Sequence, residues 1–504
     1  MRRKKKNIVL EKVLVENYAA EGKSIAHIDG KVVFIEKVVP GDVVDIKLFK
    51  SKKDWAEGYP LQFHSLSKER TEPFCQHFGV CGGCQWQMLP YDKQLFYKRQ
   101  QVEDNLKRIG KIELPEIPPV LGAGQTKWYR NKLEYTFSSK RFIPAPSNSP
   151  DGGELPSHKT LLNEKSDNNF NFSSSGPGAM EASPVGGGLV GAGASGFHAR
   201  GLFDKVVEIE RCWLQAEPTN AIRKSIADFA RKNNYSFYDH KLHTGFLRTV
   251  LLRICETGEV MVNVVMAEDD QAKRNLLLEH LLKEVPGITT LLYTINTKWN
   301  DSLHDLEPVV VTGNGYVTEK LEDLQFKIGP KSFFQTNTKQ AEKLYSVARD
   351  YAELTGNETV YDLYCGTGSI GLFASKMAKK IIGVEMIAEA IEDAKENAML
   401  NAIQHAEFYT GDVIKVCDDA FFAAHGKPDV IITDPPRAGM HEKLVKKILE
   451  IAAPVIVYVS CNPATQARDL HLLNEKYIVT KIQPVDMFPH THHIENVVQL
   501  KLRL

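Results

Sequence analysis

The stretch "ETVYDLYCGTGSIGLFASKMAKKIIGVEM", residues 358–386, restricts the fold more than any other part of the chain. An apolar run, Val360 to Leu363, enters a glycine-rich loop. An amphipathic segment follows, then a second apolar run, Ile381 to Val384. Strand, loop, helix and strand within about 30 residues form a βαβ unit, which commits the region to a parallel sheet covered by helices. Further strands are expected in "AEFYTGD" (406–412), "DVIITDPPR" (429–437), "PVIVYVSCN" (454–462) and the closing "VVQLKLRL" (497–504). Alternating units of this kind make a doubly wound, Rossmann-like α/β domain, here over residues 331–504.

The glycine loop Gly366-Thr367-Gly368-Ser369-Ile370-Gly371 fits any cofactor that carries a nucleoside. Asp362 and Glu385, at the ends of the first two strands, can accept from ribose hydroxyls. Asp434-Pro435-Pro436-Arg437 decides between cofactors. A carboxylate and a rigid Pro-Pro at a strand's carboxyl end suit the substrate-facing loop of an S-adenosylmethionine (SAM)-dependent methyltransferase. A dehydrogenase has no use for them.

Cys461 ends the next strand, before the turn Asn462-Pro463. Free cysteine is most often core filler. A cysteine beside the cofactor crevice, one strand after Asp434, is better read as a nucleophile. Glu495 follows a turn holding Pro489, His490, His492 and His493, which makes it a site candidate. The histidines either pack or bind phosphate.

At 504 residues the chain exceeds a single core, so other domains precede this one. Residues 1–65 alternate short apolar runs with turn signals, Asp29-Gly30 and Pro40-Gly41-Asp42, and predict a small OB-like β-barrel. Lys47, Lys50, Lys52 and Lys53 cluster near its end. Residues 1–143 hold 26 Lys/Arg against 17 Asp/Glu, a balance of +9 that suits phosphate contact. The stretch resembles a TRAM domain, a small RNA-binding barrel. A central α+β domain is expected over 66–330. It opens with Cys75-x5-Cys81-x2-Cys84, and Cys212 is the best candidate for a fourth ligand. The spacing leaves zinc and iron–sulfur open, and it is not the C-x3-C-x2-C of radical chemistry. Residues from about 144 to 195, rich in Pro, Ser, Gly and Asn, predict a disordered insertion. No apolar run reaches the roughly 18 residues of a membrane span. The basic N-terminus lacks a signal-peptide core, so a cytoplasmic protein with reduced cysteines is expected.

Taken together, "FFQTN" (333–337), "DLYCGTGSIGL" (362–372), "DPPR", "SCNP" (460–463) and "FPHTHHIE" (488–495) resemble the RNA (uracil-5-)-methyltransferases. The resemblance is to the bacterial 23S rRNA branch, which carries a TRAM domain and a [4Fe–4S] cluster. It implies SAM contacts from Gln335, Tyr364, Ser369, Glu385, Asp412 and Asp434. It implies Cys461 as nucleophile, Glu495 as general base and Cys75, Cys81, Cys84 and Cys212 as cluster ligands. It further implies RNA as partner, 23S rRNA before tRNA and no DNA, and a monomer. Two rival readings are an amino-group methyltransferase, against which Arg437 and Cys461 argue, and a non-catalytic RNA-binding scaffold with a structural metal.

Overall fold

The computed structural model describes residues 8–143 and 193–503. The predicted insertion lies outside the described residues as far as residue 192. Beyond it, Ala194 opens a strand.

The first six strands are β1 (Ile8–Leu14), β2 (Asn17–Tyr18), β3 (Ser24–Ile28), β4 (Lys31–Ile35), β5 (Val43–Ser51) and β6 (Trp55–Ser65). They form one sheet in the order β1-β5-β6-β4-β3-β2. Asp29 and Gly30 take φ of 49° and 76°, the two-residue turn that matches strand twist. Val13, Ala26, Val33, Ile35, Val44, Ile46 and Ala56 pack on one another. A sheet whose own residues supply both sides of a core has rolled upon itself.

Helix α1 (Tyr91–Asn105) continues in a wider turn, Leu106–Gly110, and ends at Lys111 with φ 48°. The central sheet holds β7 (Lys132–Ser138), β8 (Ala194–His198), β9 (Val206–Glu208), β10 (Leu247–Ile254), β11 (Val260–Met266), β12 (Thr290–Ile295) and β13 (Val309–Thr312). Their order is β13-β12-β11-β10-β7-β8-β9. Helices α2 (Thr219–Lys232) and α3 (Gln271–Glu284) bury Ile222, Ile226, Leu277 and Leu281 against Val250 and Val264. Two segments cross from this region to the C-terminal core. Val102, Leu106, Ile117 and Val120 pack with Leu470 and Val498. The hairpin β14 (Val317–Leu321) and β15 (Leu324–Ile328) packs with Leu344 and Ile381.

The C-terminal chain runs α4 (Thr338–Ala352), β16 (Thr359–Leu363), α5 (Ser369–Ala374), β17 (Lys380–Glu385), α6 (Ala388–Leu400), β18 (Ala406–Thr410), α7 (Val413–Val416) and α8 (Asp419–His425). It ends with β19 (Val430–Thr433), α9 (Glu442–Ile451), β20 (Val455–Ser460), α10 (Pro463–Leu473), β21 (Tyr477–Val485) and β22 (Glu495–Leu502). The sheet order is β18-β17-β16-β19-β20-β22-β21. The last strand is not at the edge: it inserts antiparallel between β20 and β21. Order reverses between β16 and β19, which opens a ligand crevice at the strands' carboxyl ends. No helix among the described residues is long and apolar enough to cross a membrane.

Candidate active site

The crevice floor is the turn from β16 into α5. Tyr364, Gly366 and Gly368 all take left-handed φ, 62°, 53° and 76°. For tyrosine this conformation costs on the order of 1–3 kcal/mol, and such strain concentrates at ligand sites. Gly371 approaches Asp362 so closely that a Cβ would lie 2.9 Å from its Oδ2, and the Gly371 N–H donates to that oxygen at 2.8 Å. Asp362 is therefore turned inward and buried. It fastens the loop to the strand rather than reaching for a ribose, which corrects its predicted role. Glu385 does line the crevice, half-buried, and accepts from Met386 N at 2.7 Å and Gly366 N at 3.3 Å. Asp412 caps α7 by accepting from Ile414 N at 3.0 Å. Burial raises the phenol of Tyr364, and the charges of Asp412, Asp469 and Glu385 add to it.

Ser369 meets Tyr345 of α4, hydroxyl to hydroxyl, at 3.0 Å. Burial raises Tyr345, and the charges of Asp434, Asp362 and Glu495 add to it. Tyr345 thus ties α4 to the glycine loop, and nothing in the sequence marks it. Gln335 is buried, with its carbonyl held by Asn131 Nδ2 at 2.9 Å.

Asp434, Cys461 and Glu495 come together at neighbouring strand ends. β19 pairs with β20 in parallel with Thr433 opposite Tyr458, so Asp434 leaves the sheet beside β20 two residues before Cys461. The β20–β22 ladder ends at Ser460 opposite Asn496, and one step further places Cys461 beside Glu495. Asn462 caps α10 through Ala464 N at 3.1 Å and donates to the Arg437 carbonyl at 3.0 Å, so the two loops are tied together. Burial pushes the Cys461 thiol up to about 12, helped by Glu495 and Asp434 and opposed by Arg437. Burial pushes Asp434 up to about 7. Burial and the Asp434 charge hold Glu495 well above the usual carboxylate range.

The turn before Glu495 is clamped from three sides. His490 N donates to Gln94 Oε1 at 2.8 Å, while Gln94 Nε2 donates to the carbonyls of Trp86 and Leu89 at 3.0 and 2.9 Å. The N–H groups of Gln85 and Trp86 donate to the His490 carbonyl at 2.8 and 3.0 Å. Fully buried Lys98 donates to Asp486 at 2.6 Å and to the Phe488 carbonyl at 3.1 Å. Gly22 of the barrel packs so closely that a Cβ would lie 2.7 Å from His492 Cβ. His492 meets the Gln85 side chain. Burial lowers His490 to about 4 and His492 to about 3, which leaves both neutral packing groups.

Cys75, Cys81, Cys84 and Cys212 line one apolar cavity with Phe78, Phe197, Ile209 and Leu214. All four are free thiols. Asn220 fixes Cys212 through its N–H at 2.7 Å, and Gly82 N bonds the His198 carbonyl at 3.1 Å. Burial pushes Cys81 and Cys84 up to about 12, and the neighbouring cysteines raise both further. No group of three or more His, Cys, Asp or Glu among the described residues has the arrangement that holds a single metal ion.

The sequence pattern of the tRNA (uracil-5-)-methyltransferase family matches residues 307–503, and that of the TRAM domain matches residues 10–61. A Bacteroides thetaiotaomicron RNA methyltransferase is 49% identical over 96% of this chain and 100% of its own length. One from Chlorobaculum tepidum is 38% identical over 93% of this chain and 91% of its own. The crystal structure of the Pyrococcus abyssi tRNA (uracil-54, C5)-methyltransferase in complex with S-adenosyl-L-homocysteine superposes with a TM-score of 0.70 at 26% identity. It covers 97% of this chain and 100% of that one.

Proposed function

The chain belongs to the RNA (uracil-5-)-methyltransferase family, with a TRAM domain near its N-terminus, and on that premise we propose that it methylates C5 of a uridine in 23S rRNA through a covalent Cys461 adduct. The observation that carries the reading is the meeting of Cys461 and Glu495 at adjoining strand ends beside Asp434. C5 of uracil is a weak nucleophile. Cys461 yields its thiol proton to solvent and adds its sulfur to C6, and the C5=C6 electrons move onto C5 and O4. C5 then takes the electrophilic methyl that SAM supplies, and S-adenosylhomocysteine leaves. Glu495 takes the C5 proton, the C5=C6 bond re-forms and the C6–S bond breaks, which frees Cys461. Gln335, Tyr364, Ser369, Glu385, Asp412 and Asp434 would hold SAM.

The charge balance of the crevice supports SAM. Glu385, Asp434 and Glu495 gather there with Asp362 beneath, while Arg437 is the cation that acts on Cys461. Burial raises Asp434, Glu495 and Cys461, and the charge of a bound sulfonium favours their ionised forms. SAM affinity is accordingly expected to fall by up to about tenfold per pH unit below the Asp434 midpoint near 7 and to level off above it. Neutral S-adenosylhomocysteine should show little change. Calorimetric titration of both ligands between acid and neutral pH checks this. A SAM affinity that does not change with pH would contradict it.

We infer that the cysteine cavity holds a [4Fe–4S] cluster, because four free thiols line one apolar space. Cys75, Cys81, Cys84 and Cys212 would hold it through all four irons, which gives a structural or RNA-positioning group. Anaerobically purified protein should be brown, with broad visible absorption. A colourless protein with stoichiometric zinc would refute the assignment.

A tRNA substrate is the second reading, favoured by the likeness to the P. abyssi enzyme over the whole chain. Methylation of 23S rRNA and tRNA from a strain deleted for this gene, with radiolabelled SAM, separates the two. Label confined to tRNA would overturn the first.

A further inference from the structure

On the outer face of the barrel, large apolar side chains stand where strand alternation calls for polar ones. Phe49 on β5 is 50% exposed, and Tyr59 and Leu61 on β6 are 38% and 42% exposed. The backbone brings the two rings together. Gly58 lies opposite Leu48, where a Cβ would meet Ile46 Cγ2 at 2.4 Å and the Lys47 carbonyl oxygen at 2.9 Å. The register then slips between Leu48 and Lys50, a bulge at Phe49, and bulges re-aim side chains. The Phe49 and Tyr59 rings consequently stack, with centroids 6.3 Å apart and planes 20° from parallel.

Cations fringe the pair. Lys47, opposite Tyr59 in the ladder, holds its ammonium 5.9 Å from that ring's centre. Lys52 and Lys53 are exposed on the β5–β6 turn. Lys50 is engaged within the sheet, 4.5 Å over Trp55 and 3.6 Å from Glu57, so it is set apart from the other three. Stacked exposed rings offer π-faces to nucleobases, and the surrounding ammonium groups suit phosphates.

We propose that Phe49 and Tyr59 form a stacking platform for unpaired nucleotides of the RNA substrate, with Lys47, Lys52 and Lys53 on the adjoining phosphates. A duplex hides its base faces, so the platform selects single-stranded RNA away from the reacting uridine. The proposal rests on the RNA-methyltransferase reading and adds the strandedness of the RNA that the barrel grips.

The test uses the full chain and a fluorescent oligouridylate, compared with a duplex of equal length. Phe49→Ala and Tyr59→Ala should each weaken single-strand binding roughly 5- to 100-fold, with the salt dependence and duplex affinity unchanged. Tyr59→Phe and Phe49→Tyr should restore binding. Lys47→Ala, Lys52→Ala and Lys53→Ala should each lower the salt slope by about one unit instead. SAM affinity and melting temperature control for folding. Alanine variants that bind the single strand like wild type, or that lose duplex binding equally, overturn the platform. Unchanged RNA binding with lost self-association in sedimentation also overturns it and makes the face a contact between copies. A wild-type protein that stacks oligouridylate but methylates no RNA would refute the enzymatic reading alone.

Discussion

Cys461→Ala is expected to lower methyl transfer to RNA by at least about 10⁴-fold, the scale on which enzymes lose rate when a covalent nucleophile is removed. SAM binding should survive, because the proposed role of Cys461 is to bond the uracil ring and not SAM. Glu495→Gln should fail differently. Burial and the Asp434 charge raise Glu495 well above the usual carboxylate range, and Gln matches its shape, so the variant should fold normally. The variant can still add Cys461 to C6 and pass the methyl to C5, but nothing takes the C5 proton. A methylated protein–RNA adduct that survives denaturing gels should accumulate, and turnover should fall roughly 10²–10⁴-fold. A Cys461→Ala enzyme that keeps a tenth of normal activity would refute the covalent route. Normal turnover in Glu495→Gln without adduct would move the base elsewhere. His493 would be the next residue to test, since it is only half-buried while the rings of His490 and His492 are buried and already meet Gln94 and Gln85.

The second large effect concerns stability. Lys98 and Asp486 form a fully buried ion pair at 2.6 Å, and Asp486 also accepts from Tyr91 Oη at 2.8 Å and Phe488 N at 3.0 Å. Lys98→Met strands the carboxylate in the interior and should destabilise the protein by about 3–5 kcal/mol. Lys98→Met with Asp486→Asn removes the stranded charge and keeps an acceptor, so most of that loss should return. The pair fastens α1 to the turn that leads into Glu495. The single variant should therefore lose kcat as well as melting temperature, with SAM affinity retained. Equal stability in urea unfolding of wild type and Lys98→Met would show that the pair does not hold the turn.

What could be read in the sequence follows a physical divide. Asp434 and Cys461 stand out because a strand that ends in DPPR or SCNP places a functional group at a known edge of a parallel sheet. The three closely spaced cysteines stand out for the same local reason. Asp362 misleads because its position at a strand end is legible, whereas its side chain turns inward to Gly371, a choice made by loop packing. Tyr345, Gln94 and Lys98 leave no local signal. Gln94 meets His490 across 396 positions of chain and Lys98 meets Asp486 across 388, so only the folded molecule brings each pair together. The hairpin 317–328 precedes the expected boundary near 330, and its apolar face packs in one core with Met261 and Leu292 as well as with Leu344 and Ile381, which no local signal shows.

The central claim, a covalent sulfur–C6 adduct on the path to C5 methylation, is tested most directly with RNA in which 5-fluorouridine replaces uridine. Fluorine at C5 cannot leave as a proton, so the adduct formed with SAM has no exit. Protease and nuclease digestion followed by mass spectrometry should find one peptide, containing Cys461, bonded to methylated fluorouridine. An adduct that maps to another cysteine, or methylated RNA recovered with no adduct at all, would contradict the account.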